Sequence, residues 1–235
     1  MPDRAVFAAE QDQQATRILA IRHGETAWNV ASRIQGQLDI PLNQAGRWQA
    51  RRLARALAED GIDAVYSSDL RRAAETAQAV ARRSGCAVVT DTGLRERGFG
   101  MFEGMSFHEI EQRWPEQSTR WRRREPGFGP QGGEVLRDFY ARCVATATRL
   151  AAAHAGETIA LIAHGGVLDC LYRAASRIAL DAPRSWQLGN ASINRLLYTP
   201  QGFTLIGWSD TGHLDGEGDA LDESADGMAV VERRA

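Results

Sequence analysis

The chain has 235 residues, of which 43% are hydrophobic and 25% are charged, and its formal net charge is −2. This length and composition are ordinary for a soluble globular protein with a sizeable core. The near-neutral charge gives no reason to expect nucleic acid or an anionic membrane surface as a partner.

The cysteines are few and widely spaced. Cys86, Cys143 and Cys170 form no Cys-x-x-Cys pair and have no histidine at metal-ligand spacing. We therefore expect free thiols in a reducing compartment, with neither disulfides nor zinc. No apolar run approaches the roughly 20 residues that span a bilayer, and residues 1–17 lack a signal-peptide pattern. A cytoplasmic location with no membrane partner is the expectation.

The first ordered element follows a polar arm. Residues 1–16 show no clear period and predict a loose arm, whereas Ile18 to Ile21 form the short apolar run of a buried strand. Arg22, His23 and Gly24 come directly after it, and the glycine is expected to let the backbone turn sharply. Such a strand presents these residues at the carboxyl edge of a sheet, where open α/β folds bind ligands.

The middle of the chain alternates between helical and extended patterns. Asn43 is expected to cap a first helix, and Ser68 with Asp69 a second, while Gly61 and Gly85 end them. The predicted elements are a helix over 44–59, a strand over 64–67, a helix over 70–83 and a strand over 86–90.

A loop-rich insertion follows over 91–133, with one predicted helix over 107–114 that stops before Pro115. This insertion is expected to cover the carboxyl edge of the sheet. The later elements are a helix over 134–154, a strand over 158–163, a helix over 167–176 and strands over 193–198 and 204–208. The polar composition of residues 211–235 predicts a mobile or peripheral tail.

This alternation predicts an α/β fold, a three-layer α/β/α sandwich with a mostly parallel central sheet and helices on both faces. One domain over 17–210 is expected. The strand over 158–163 ends in His164-Gly165-Gly166, as the first strand ends in Arg-His-Gly. If both strands are parallel in one sheet, His23 and His164 lie at the same edge.

Four separated motifs occur in order along the chain: Arg22-His-Gly-Glu-Thr26, Ser68-Asp-Leu-Arg-Arg-Ala-Ala-Glu-Thr-Ala77, Glu96-Arg-Gly-Phe-Gly-Met-Phe-Glu-Gly104 and His164-Gly-Gly166. Over roughly residues 17 to 210 they resemble the histidine phosphatase superfamily, which includes the cofactor-dependent phosphoglycerate mutases.

The resemblance implies that His23 is a phosphoryl-accepting nucleophile, although a lone histidine would more simply cap a strand end. An imidazole attacks only when one ring nitrogen is unprotonated, and neighbouring cations favour that state. Arg22 and Arg72 would hold the phosphate through their planar guanidinium groups. Arg71 is interpreted as a solvated helix residue, because the motif aligns Arg72.

The same resemblance makes Glu96 the proton donor to the leaving alcohol, with Glu103 a less favoured alternative. His164 would donate a hydrogen bond to a phosphoryl oxygen in the transition state. Asn29 and Gln35 would be neutral donors to the phosphate, and relatives carry Ser or Thr where this chain has Gln35. The phosphate- and substrate-binding set is completed by Gly24, Gly36 and Gly165.

Other polar residues receive plainer interpretations. His108, His154 and His213 match no motif and are expected on the surface. The run Arg120-Trp-Arg-Arg-Arg-Glu125 mixes basic and aromatic residues but is short and flanked by acidic residues. We expect a solvated cap segment and no nucleic-acid site. If it faces the site, it would bind a second anionic group, and Trp121 would line the pocket.

Two features favour a phosphatase over a mutase: the Phe-Gly-x-Phe-Glu-Gly pattern after Glu96, and a segment to His164 shorter than in typical mutases. We therefore predict a phosphomonoester hydrolase that acts on a small phosphorylated metabolite through a phosphohistidine. The alternatives are a phosphoglycerate mutase and an inactive fold member that binds a phospho-ligand or a protein. No metal or organic cofactor is expected, and the sequence leaves open whether the protein forms a homo-oligomer.

Overall fold

A six-stranded sheet forms the centre of the protein in this computed structural model, which describes residues 14–215. Its strands are β1 (Thr16–Arg22), β2 (Ala64–Ser67), β3 (Val88–Thr90), β4 (Thr158–Ala163), β5 (Ile193–Thr199) and β6 (Gly202–Asp210). Their order is β3-β2-β4-β1-β5-β6. The first four strands in this order are parallel, whereas β5 runs antiparallel to both β1 and β6.

The helices pack on both faces of this sheet. They are α1 (Ala27–Val30), α2 (Gln44–Ala56), α3 (Arg71–Ser84), α4 (Phe107–Arg113), α5 (Pro115–Arg122), α6 (Leu136–Ala152) and α7 (Gly165–Ser176). Short 3-10 turns span Thr92–Leu94, Gly100–Phe102 and Gly212–Leu214. Within residues 14–215, none of the helices is both long and apolar enough to cross a membrane.

Alternate side chains of β1 divide the core into two halves. Leu19 and Ile21 pack with residues of α2 and α3, whereas Ile18 and Ala20 pack with residues of α6 and α7. This is the period of two that a strand buried on both faces requires. The predicted three-layer α/β/α sandwich with a mostly parallel sheet is confirmed.

One local prediction was incomplete and another was wrong. The helix α4 ends before Pro115, as predicted, but Pro115 is also the first residue of a second helix, α5, where a missing backbone N–H breaks no helical bond. Neither Ser68 nor Asp69 caps α3, whose N-cap is Leu70. Instead Asp39, distant in sequence, accepts a 2.7 Å hydrogen bond at Oδ1 from the Arg71 amide.

The predicted arm and tail lie mostly outside the described residues. Of the arm, Thr16 already belongs to β1, and its hydroxyl donates a 2.7 Å hydrogen bond to the Ala151 carbonyl. Of the tail, His213 lies in a 3-10 turn, and its carbonyl accepts a 2.8 Å hydrogen bond from Nε of Arg52. These two described parts are structured.

Candidate active site

The two motif histidines meet because β1 and β4 are adjacent parallel strands. Arg22 is paired with Ala163 in the register, and the His23 amide continues the ladder with a 3.0 Å bond to the Ala163 carbonyl. The ring centroids of His23 and His164 lie 5.2 Å apart, and both side chains are buried. The predicted convergence at one sheet edge is therefore observed.

A backbone carbonyl fixes the orientation and the proton of His23. Its Nδ1 lies 2.6 Å from the Gly24 carbonyl oxygen, which can only accept, so Nδ1 carries the hydrogen and Nε2 is left with a free lone pair. Burial lowers the pKa of His23 well below its usual range, and the charges of Arg72 and Arg22 lower it further. The imidazole is thus neutral at physiological pH.

A glycine is required at position 24 for a different reason from the expected sharp turn. Its φ is not among the positive values found at other glycines, so it makes no unusual turn. A Cβ there would lie 2.5 Å from the carbonyl oxygen of Gly46, at the start of α2. The glycine is needed because two backbones approach closely behind the nucleophile candidate.

Two desolvated arginines flank His23. Arg72, in the first turn of α3, donates to the carbonyls of Gly36 at 2.7 Å and Leu38 at 2.8 Å, and Arg22 donates to the Leu188 carbonyl. The Nε atoms of both guanidinium groups are buried and have no hydrogen-bond partner among residues 14–215. Burial lowers the pKa of Arg72 to about 10, an effect that Glu96 and Asp39 oppose. Both groups remain cationic and suit an anion.

Glu96 and Glu103 have distinct surroundings. Glu96 accepts a 3.0 Å hydrogen bond at Oε2 from the Gly166 amide, at the amino end of α7. Oε1 of Glu103 instead accepts from the amides of Gln37 at 3.0 Å and Phe99 at 2.9 Å. Glu103 therefore holds two loops together, and Glu96 is the carboxyl group that faces the cavity.

These residues surround a cavity of about 890 Å³. Of the predicted site residues, its wall contains Arg22, His23, Asn29, Gln35, Gly36, Arg72, Glu96 and Gly165. Gly24 and His164 are not among the lining residues, but each adjoins one of them: Gly24 follows His23, and the His164 ring lies beside the His23 ring. The structure thus brings the predicted set together, and the chemical role of each member stays a prediction.

The loop that carries Gln35 and Gly36 is tightly fixed. Gly36 has a φ of +52°, and a Cβ there would lie 2.0 Å from Oε1 of Glu103, so only glycine fits. Oε1 of Gln35 is buried and has no hydrogen-bond partner within the described part of the chain. Asn29 uses its Oδ1 to accept from the Thr26 amide at 3.0 Å, as part of the capping box of α1.

Comparison with known proteins places this geometry in a family. The family model of the histidine phosphatase superfamily (branch 1) matches residues 18–211. The chain belongs to this superfamily. The resemblance inferred from the four motifs is therefore confirmed, and it extends over nearly all of the described residues.

Individual relatives of this histidine phosphatase carry different names. Phosphoglycerate mutase-like protein 4 of Arabidopsis thaliana is 39% identical over 212 residues, which cover 88% of this chain and 91% of the relative. The metal-independent phosphoserine phosphatase of the same plant is 35% identical, with 88% of this chain and 87% of the relative covered. A structure of mycobacterial glucosyl-3-phosphoglycerate phosphatase with VO3 is 33% identical, with a TM-score of 0.76, and 83% of this chain and 99% of that chain are covered.

The sequence did not indicate several residues that line the cavity or contact its lining. Asn190 donates to the His23 carbonyl at 3.0 Å and to Oδ1 of Asn29 at 3.3 Å. Arg184 lies in the cavity wall, and its charge contributes to the lowered pKa of Arg22. Arg97 is buried and donates to the Phe128 carbonyl at 2.7 Å. The only sequence pattern around Asn190 is the Gly-Asn pair before β5, which indicates a turn but not a contact with His23.

The basic run of the insertion divides between solvent and cavity. Arg120 pairs with Glu125 at 2.7 Å and lies outside the cavity wall. Trp121, Arg122 and Arg124 do line the cavity. The expectation that Trp121 lines the pocket is met, whereas the binding of a second anionic group by this run stays a prediction.

The three histidines outside the motifs differ in their exposure. His108 is exposed, as predicted, but His154 is largely buried and its Nε2 lies 2.7 Å from the Tyr66 hydroxyl, so its surface assignment was wrong. His213 is also half-buried. Within residues 14–215, no group of three or more His, Cys, Asp or Glu residues is arranged to hold a metal ion.

Proposed function

We propose that this protein hydrolyses phosphomonoesters of small metabolites through a phosphohistidine formed on His23. The observation that carries the proposal is the His23 ring, fixed by the Gly24 carbonyl and kept neutral between Arg22 and Arg72 in the cavity wall. A neutral, oriented imidazole between two cations is both a nucleophile and part of an anion site.

The reaction begins with capture of the phosphate. Arg22 and Arg72 offer unpartnered Nε–H groups, and Gly165 lies at the amino end of α7, where the helix field favours an anion. Asn29 and Gln35 line the same part of the wall. Nε2 of His23 then attacks phosphorus, and the bond from phosphorus to the alcohol oxygen breaks in line with the attack.

Two groups complete the transfer. Glu96 gives a proton to the departing alcohol and then takes one from the water that cleaves the phosphohistidine, which regenerates the free imidazole. His164 hydrogen-bonds a phosphoryl oxygen as charge develops, since both of its buried ring nitrogens have no hydrogen-bond partner in the described range, 14–215. The chain's own residues supply every step, so we expect no metal or organic cofactor to be needed.

Hydrolysis is favoured over transfer to a phosphoglycerate. Two similar proteins are named phosphatases, for phosphoserine and for glucosyl-3-phosphoglycerate. A mutase must keep water away from the phosphohistidine. Here the cavity has room for a ligand much larger than phosphate, and Phe107 in its wall is 55% exposed to solvent. Water can therefore enter the cavity, which favours hydrolysis. Phosphoglycerate mutase activity is the second candidate function, because one similar protein is named phosphoglycerate mutase-like.

The deciding experiment measures phosphate release from 4-nitrophenyl phosphate and a panel of metabolites in EDTA, with phosphoglycerate interconversion followed in parallel. We expect the wild type to release phosphate and His23→Ala to lose at least about 10³-fold in rate. His108→Ala is the matched control, because His108 is exposed and outside the cavity wall. Interconversion without release would identify a mutase, and silence in both assays would favour a binding protein.

A further inference from the structure

One wall of the active-site cavity is aromatic. Phe107 and Trp121 stack with ring centroids 5.0 Å apart and 7° between their planes, and Phe99 meets Trp121 edge-on at 5.5 Å. All three residues line the cavity, and we call them the aromatic platform. Phe107 is 55% exposed, so it presents uncovered ring surface within a site otherwise rich in guanidinium groups.

The platform is fixed relative to the phosphate end of the cavity. The loop before Gln35 pairs with the segment before Phe107, through a 2.9 Å bond from the Ile34 amide to the Met105 carbonyl. The Gly104 amide returns a 2.7 Å bond to the Ile34 carbonyl. Trp121 also packs on Phe102, which is fully buried. The segment before Phe107 is therefore hydrogen-bonded to the loop that leads to Gln35, a residue of the phosphate end.

Two of the arginines beside the platform have acidic partners. Arg122 pairs with Glu111 at 2.7 Å, and Arg33 pairs with Glu109 at 3.3 Å. These guanidinium groups line the cavity but do not require an anion from a ligand. The exposed face of Phe107 is apolar, and an uncharged flat group matches it best.

We infer that the alcohol part of the substrate carries a planar ring, which extends the stack of Phe107 and Trp121 while the phosphate lies at His23. This inference rests on the proposed function and narrows its substrate class to phosphomonoesters of ring-bearing alcohols. The cavity of about 890 Å³ is large enough for both ends of such a molecule.

The test compares 2-phenylethyl phosphate with propyl phosphate, whose leaving alcohols have similar acidity. We expect wild-type kcat/KM to favour the ring-bearing ester by roughly three- to tenfold, the usual range for one aromatic stack. Phe107→Leu, which keeps an apolar side chain without a planar face, should remove that preference. Phe107→Trp should retain it, and the quantity compared is the ratio of kcat/KM for the two esters within each variant.

Ile206→Ala is the control, since Ile206 is an apolar residue of similar exposure, 58%, on β6 and outside the cavity. It should leave the ratio of the two esters unchanged. Turnover of both esters without a ring preference, or an equal loss on both in Phe107→Leu, would overturn this inference alone. If the wild type turned over neither these esters nor the aryl phosphate, the proposed function would fail and this inference with it.

Discussion

The backbone amide of Gly166 donates a 3.0 Å hydrogen bond to Oε2 of Glu96, so the first turn of α7 holds the carboxyl group that the proposed mechanism uses as acid. Oε1 of the same carboxyl accepts a 2.8 Å bond from the Arg97 amide. Because both contacts are to backbone, the position of Glu96 depends on how closely the main chain of α7 approaches it.

Gly166→Ala should displace Glu96 and slow turnover. A Cβ at position 166 would lie 2.2 Å from Oε1 of Glu96, while the helical backbone itself accepts alanine. We expect kcat for propyl phosphate to fall about 10- to 100-fold, with a smaller loss for 4-nitrophenyl phosphate, whose leaving group needs no proton. Gly207→Ala is the control, because a Cβ there would approach no atom closer than 4.0 Å. Equal losses on both esters would argue against the acid role.

The pH dependence of turnover should report on His23. Its lowered pKa means that the nucleophilic form is present above that pKa and is lost as the pH falls through it. Removing a neighbouring cation should raise this pKa, so the acid limb of kcat/KM should move to higher pH in Arg72→Gln. In Arg71→Gln, at the exposed neighbouring position, the limb should not move. An unshifted limb in Arg72→Gln would assign it to another group.

Acid should also weaken folding through the two buried histidines. The pKa values of His23 and His164 are lowered by burial and by Arg72 and Arg22, so between these values and about 6.5 the unfolded chain binds more protons. Their contribution to stability is complete above about pH 6.5 and declines below it, by up to about 1.4 kcal/mol per pH unit for each histidine.

Urea unfolding at several pH values between 7.5 and 5 measures this slope. His164→Gln should make the slope shallower by up to one proton equivalent. His108→Gln should leave it as in the wild type, because that side chain is exposed. The histidine explanation would be wrong if the slope were the same in all three proteins.

Asp169→Asn should be strongly destabilising. Oδ2 of Asp169 accepts from Arg124 at 2.6 Å and from Arg173 at 3.1 Å, and the Arg173 side chain is wholly buried. Neutralising the carboxylate leaves a buried cation without its counter-charge, which costs about 3–5 kcal/mol of unfolding free energy. Asp138→Asn breaks a pair that is 67% exposed on the aspartate side and should cost less than about 1 kcal/mol. Equal losses of unfolding free energy in the two variants would show that burial does not determine how much an ion pair contributes to stability.

Much of the active site was predictable because its main residues follow strand ends. His23 and His164 each come after a short apolar run, and parallel pairing places such positions together. Glu96 required the family motif, since no periodic pattern separates it from other glutamates. The fold class followed from the alternation of elements, which depends on local hydrophobic period.

The features that could not be predicted from the sequence depend on contacts between segments that are distant along the chain. Asp39 caps α3 from another loop, and Asn190 reaches His23 from the turn before β5. Neither residue lies in a pattern that indicates its partner. The second helix of the insertion was not predicted because a proline after a helical segment was taken to mark the end of the helix. Proline is equally suited to the first position of a helix, which is where Pro115 lies.

The central place of β1 also governs when the protein can fold. β1 contains the first described strand residues of the chain, yet its neighbours β4 and β5 are built from 158–163 and 193–199. Arg17 and Thr158, which hydrogen-bond across this pair, are 141 positions apart. Pairings this distant form late and slow the search for the native topology. During synthesis the apolar strand β1 therefore stays unpaired until β4 and β5 have been made. A chain that ended before β4 would lack the strand that pairs with β1 and should have no activity.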